Sequence, residues 1–133
     1  MNVLRNKAEE IVNEVIEEEN HDLIGWRDVP VDESMLSDTA KSTMPYIKQV
    51  FIKKPESTYS TEKFNQSLYL IRRIIERRIS SLQGFKEGPF YFASLSPEIV
   101  VYKGMLVPEQ MDEFYLDLKD PLANVIWYGS LSL

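Results

Sequence analysis

With 133 residues, a mass of 15.5 kDa, 44% hydrophobic and 27% charged residues, the chain can build one compact domain with a modest core and is too hydrophobic for a disordered segment. Its 21 acidic residues outnumber 15 basic ones for a net charge of −6, which argues against nucleic acid as a partner because phosphate backbones are held by concentrated positive charge. It contains no cysteine, so disulfides, thiolate metal sites and a thiol nucleophile are all excluded from this sequence. Apolar runs such as Ile99-Val100-Val101-Tyr102 are far shorter than the ~20 residues of a membrane-spanning helix, so no membrane partner is expected. The polar, acidic start of the chain has no signal-peptide core, and a cytoplasmic location is expected.

Leu4, Ala8, Ile11, Val12, Val15 and Ile16 recur at helical spacing, which predicts an amphipathic helix over residues 2–19. Glu17-Glu18-Glu19 lies at its negative end, where it should fray the last turn or require a cationic neighbour. Residues 22–28 read as a short strand that Pro30 stops or places at an edge. Ser37 to Ser42 can make one helical turn capped by Ser37 or Asp38 and ended before Pro45. Tyr46 to Ile52 is rich in β-branched and aromatic residues and reads as a second strand.

A longer helix should begin after Ser60 or Thr61, with Phe64, Leu68, Ile71, Ile75, Ile79 and Leu82 as its core stripe and Gly84 as its stop. Phe90 to Leu95 and Glu98 to Lys103 flank Ser96-Pro97 and predict a tight antiparallel hairpin. Pro108 suits the first position of a helix whose Met111, Phe114, Tyr115 and Leu118 line one side up to Asp120-Pro121, and Asn124 to Leu133 looks extended. With no internal repeat, residues 1–133 read as a single α+β unit, an antiparallel sheet with packed helices.

The residues by themselves display no active site. His21 is the only histidine and sits in a charged connector, where an exposed or capping role is expected. One histidine without cysteine makes zinc a poor fit, and Glu9, Glu10, Glu14, Glu17, Glu18 and Glu19 lack the loop spacing that wraps a hard cation. Arg72, Arg73, Arg77 and Arg78 could grip an anion, but Glu76 lies among them and a solvated helix face is the simpler reading. Trp26, Tyr46, Tyr91 and Tyr102 could stack on a ring ligand, though aromatics at strand positions are expected in a core.

Ordered blocks add a resemblance. Gly25-Trp26-Arg27-Asp28-Val29-Pro30-Val31-Asp32 is followed by Thr39 to Phe51, then Leu68 to Arg73, Phe90 to Ser96, Ile99 to Leu106, Pro108 to Gln110 and Phe114 to Leu118. In that order, over about residues 22–121, they resemble the class II glutamine amidotransferase domain of glutamate synthases, which implies part of an N-terminal-nucleophile hydrolase fold of α/β/β/α layering. In that family an amino-terminal cysteine attacks the side-chain amide of glutamine and releases ammonia for glutamate synthesis, while later histidine-, arginine- and asparagine-bearing segments hold glutamine and the oxyanion. The resemblance implies that those groups lie outside this sequence, so no catalytic, cofactor-binding or metal position is assigned and no cofactor is expected in this chain. Residues beyond Pro121 depart from the family pattern; a reading-frame shift near Trp127 is one expectation, testable by sequencing the gene past Leu133. The expected role is an inactive part of a glutaminase domain, its partners a second copy or the remaining glutamate synthase segments. A free-standing interaction module is the alternative.

Overall fold

A computed structural model describes residues 2–56, 59–82, 90–104, 106 and 108–122. Its elements run α1 (Asn2–Glu18), β1 (Asp22–Asp28), α2 (Asp38–Thr43), β2 (Lys48–Lys53), α3 (Thr61–Ser80), α4 (Pro108–Phe114) and a 3-10 turn (Leu116–Lys119). β1 and β2 pair as a two-stranded antiparallel sheet, so the class is α+β. Contacts group the chain into two compact units, Met1–Gly25 with Val50–Val101, and Trp26–Gln49 with Tyr102–Leu133.

The first unit is built on α1 and α3, which pack together through the stripes their periodicity marks out. Ala8, Ile11, Val12, Val15 and Ile16 from α1, and Phe64, Leu68, Ile71, Ile75 and Ile79 from α3, are all buried. Entirely aliphatic apart from Phe64, this interface gains from both removal of apolar surface from water and dense packing. α3 starts where a hydroxyl can serve it: Ser60 stands in extended backbone and its side chain accepts from the Lys63 amide. It ends at Ser81, whose amide bonds to Ile79; Gly84, the expected stop, lies outside the described residues.

The acidic end of α1 is closed rather than frayed. Asn20 adopts a left-handed backbone with φ of 60°, its amide donates to the Glu17 carbonyl and the His21 amide to that of Ile16. That pair of bonds is a Schellman closure, which satisfies carbonyls the helix would otherwise leave open. The cationic neighbour that the three glutamates require is Arg78 of α3, whose guanidinium grips both carboxylate oxygens of Glu18.

The second unit has a smaller, mixed core. Val29, Met111, Phe114 and Tyr115 are buried, with Val31, Met35, Met44, Ile47 and Leu118 packed against them. α2 carries the expected cap, the Ser37 hydroxyl accepting from the Ala40 amide, and α4 begins at Pro108. The expected single helix through Leu118 is instead interrupted at Tyr115, because the backbone there turns extended to bridge Val31. The Asp32 amide donates to the Phe114 carbonyl and the Leu116 amide to that of Pro30, completing the strap. β2 begins at Lys48 rather than at Tyr46.

The hairpin expected over 90–103 does not form. Neither Phe90 to Leu95 nor Glu98 to Lys103 is a strand; the Ser96 hydroxyl instead takes the amides of Glu98 and Ile99, and the Ser94 hydroxyl that of Val101. β propensity is largely a measure of side-chain packing, and among the described residues Ile99 and Val100 are exposed. Serine hydroxyls compete effectively for the amides. The extended tail expected from Asn124 to Leu133 lies outside the described residues.

Candidate functional site

Polar chemistry concentrates in the second unit, around Asp117 of the 3-10 turn. Arg27, near the end of β1, reaches it with both terminal nitrogens, Nη1 to Oδ2 at 2.9 Å and Nη2 to Oδ1 at 2.6 Å. The same guanidinium donates to Oε1 of Gln49 in β2 at 2.7 Å, and the Tyr102 hydroxyl donates to Asp117 Oδ2 at 2.8 Å. Two-pronged charge-assisted bonding of this kind fixes direction as well as distance. The side chains of Arg27 and Asp117 remain 40% and 22% exposed, so water screens the pair in part.

Each group is tuned by the others. The Arg27 guanidinium holds the Asp117 carboxyl below the usual aspartate range, with the Tyr102 hydroxyl helping and partial burial opposing. Asp117 in turn raises Arg27. Burial first, and then the bond to Asp117, push the Tyr102 phenol up, so it stays a neutral donor. Beneath it, Tyr102 meets the ring of Tyr115 edge-on at 4.9 Å, and Tyr115 meets Phe114 at 4.8 Å. The Tyr115 hydroxyl donates to the Lys103 carbonyl. This node has an ionised carboxylate, a permanent cation and a neutral phenol, all bonded to one another. It is suited to locking segments together.

Of the residues singled out from sequence only Tyr102 joins the node, as a hydrogen-bond donor and not as a stacking ring; the others fall elsewhere and do not converge on one site. His21 takes the capping role: Nδ1 meets the Glu19 carbonyl at 2.8 Å and the ring stacks on Phe64 at 6.0 Å, while Nε2 is enclosed without a hydrogen-bond partner among the described residues. The four arginines form no shared grip. Arg72 and Arg73 bond Glu76, Arg72 also donates to the Phe92 carbonyl, Arg78 holds Glu18, and Arg77 is exposed. Among the described residues no three acidic or histidine side chains are placed to hold a metal.

The four aromatics are not core, contrary to expectation. Tyr46 and Tyr91 are 49% and 57% exposed, while Trp26 and Tyr102 are half-buried. Trp26 and Tyr46 flank the Lys48 ammonium, 5.5 and 5.8 Å from the ring centres, and the Tyr46 hydroxyl donates to Asp28. The sheet that carries Trp26 has no buried residue in either strand, which is why a ring there finds a lysine in place of a core. Two shallow surface depressions, one beside Leu4, Lys7 and Leu82 and one beside Asp22, Lys53 and Glu56, include no residue of the node.

The node itself was missed by residue-level reading, since its members stand 15 to 90 positions from their partners. One signal could have found it: each member lies in a different block of the ordered series, Arg27 in the first, Gln49 in the second, Tyr102 and Asp117 in later ones.

Sequence comparison bears directly on those blocks. The family model of class-II glutamine amidotransferases matches residues 2–126, and the chain belongs to that family, whose fold is that of the N-terminal-nucleophile hydrolases. The match begins within α1, ahead of the first block. More particularly, the chain is homologous to the amidotransferase domain of glutamate synthase large chains. It is 42% identical over 117 residues to the NADPH glutamate synthase large chain of Bacillus subtilis (strain 168), covering 87% of this chain and 7% of that one. It is 38% identical over 119 residues to the chloroplastic ferredoxin-dependent glutamate synthase 2 of Arabidopsis thaliana, covering 90% and 7%. The large chain of Azospirillum brasilense NADPH glutamate synthase is 38% identical over 98 residues, covering 74% and 6%. The chain thus spans about 7% of the length of the first relatives it matches. Among the described residues no helix is long and apolar enough to cross a membrane.

Proposed function

We propose that this chain is the supporting part of a glutamate synthase glutaminase domain, holding segments in register while a nucleophile from outside these residues attacks glutamine and frees ammonia. The observation that carries the reading is the node. Arg27, Gln49, Tyr102 and Asp117 come one from each of four matched blocks and meet through bonds of 2.6 to 2.9 Å. With no cysteine among 133 residues, the chain has no thiol with which to form a glutamyl thioester, so it is inactive alone. It works in the cytoplasm and carries no cofactor, the electron donor of any complete synthase acting on other segments.

Co-expression with the flanking segments of a related glutamate synthase tests this. Ammonia release from glutamine should appear only when a segment carrying the amino-terminal cysteine is supplied, and should be absent from the chain alone. Hydrolysis by the purified chain alone would overturn the reading. A second reading, a free-standing interaction module, is favoured by the unburied sheet, where Ile24 and Phe51 lie exposed. Complementation without recovered activity would leave that reading standing.

A further inference from the structure

We propose that copies of this chain bind one another through the outer faces of the α1–α3 pair, the basic face of α3 in one copy against the acidic face of α1 in the next. Because α1 and α3 bury their apolar stripes against each other, each leaves its opposite face to solvent. On α3 that face presents Leu70, Arg73 and Arg77 with Tyr69 beside them; Tyr69 is 65% and Leu70 50% exposed. On α1 it presents Glu10, Glu14 and Glu17, all exposed. Arg73 and Arg77 stand four residues, about 6 Å, apart on α3, as Glu10 and Glu14 do on α1, so two opposite-charge pairs can meet without distortion of either helix, with Glu17 adding negative charge at the edge.

Charge and composition favour this pairing over a random encounter. In a chain of net charge −6 the paired guanidiniums of Arg73 and Arg77 are attracted toward the acidic surface of another copy. Tyrosine and arginine are the side chains that contribute most where proteins meet. Existing partners do not block the contact: Arg73, itself exposed, reaches half-buried Glu76 at 3.4 Å, and Glu10 reaches Lys7 at 3.6 Å, each pair within one helix turn. Such pairs are weak, and arginine keeps donors for a second carboxylate. Two different patches are used, so the association is head-to-tail and has no fixed stoichiometry unless the rotation happens to close.

Sedimentation velocity of the chain at low ionic strength should give a mass that climbs with concentration. In about 1 M salt, where the screening length falls to ~3 Å, the association constant should drop at least roughly tenfold. R73E/R77E and E10K/E14K should each remove the association, and an equimolar mixture of the two should restore it, since each supplies the face the other needs. Should R73E/R77E unfold by circular dichroism, R73Q/R77Q serves in its place and should also weaken the association. A monomer at every concentration in low salt overturns the proposal, as does a mass indifferent to both reversals or a mixture of folded variants that stays apart. These outcomes are independent of whether the chain supports glutaminase chemistry.

Discussion

The two units hold themselves together by opposite means. In the first, ten buried side chains from two helices interlock, all of them apolar; in the second, four buried side chains are supplemented by a hydrogen-bonded hub joining four distant segments. Aliphatic packing is non-directional and tolerates small shifts, whereas the hub works only when a fork, a carboxylate and a phenol arrive at set angles. The contrast teaches that a short chain can define one part by bulk and another by geometry.

Substitutions can test each half of that contrast. Ile75→Ala opens a cavity at a position with no exposure and should cost about 2–5 kcal/mol, read as a lower urea midpoint for loss of helical signal. Arg27→Met should cost about 1–2 kcal/mol, toward the lower end because its side chain is partly solvated, and should leave the α1–α3 helical signal in place. If Arg27→Met proved as damaging as Ile75→Ala, the second unit would be carrying the first.

Acid should distinguish the units as well. Asp117 titrates below its unfolded range, so its contribution is complete above that range and is lost as pH falls through the folded value. The second unit should therefore loosen in acid, seen as a change in tyrosine fluorescence, and Arg27→Met should flatten that limb. Equal acid sensitivity with and without Arg27 would remove the node from the account. The smallest effect is expected at Asn20, where the left-handed backbone suits glycine better than asparagine: Asn20→Gly should change stability by only a few tenths of a kcal/mol, in the stabilising direction, in urea titration.

What could be read from the sequence followed the same division. The core stripes of α1 and α3 were legible because burial in a helix imposes a period, and nearly every residue so marked is buried. The bonding of Arg27 to Asp117, 90 positions away, leaves no period, and only the ordered family blocks hinted that those stretches belong together. Where propensity misled, at Phe90 to Leu95 and Glu98 to Lys103, Ile99 and Val100 stay exposed and the hydroxyls of Ser94 and Ser96 take the amides a strand would have offered a partner. At Glu17-Glu18-Glu19 the sequence stated a need, and Arg78, 60 positions from Glu18, met it.

The serine contacts in the 94–101 segment have a spectroscopic corollary. The amides of Glu98, Ile99 and Val101 are held by side-chain oxygens, so they should exchange with deuterium more slowly than free loop amides although the region contributes no sheet signal. Ser94→Ala would release the proton at 101 alone, and Ser96→Ala those at 98 and 99. Slow exchange here would therefore trace two hydroxyl groups, and a mass-spectrometric map that equated retardation with β-structure would draw a hairpin where none exists.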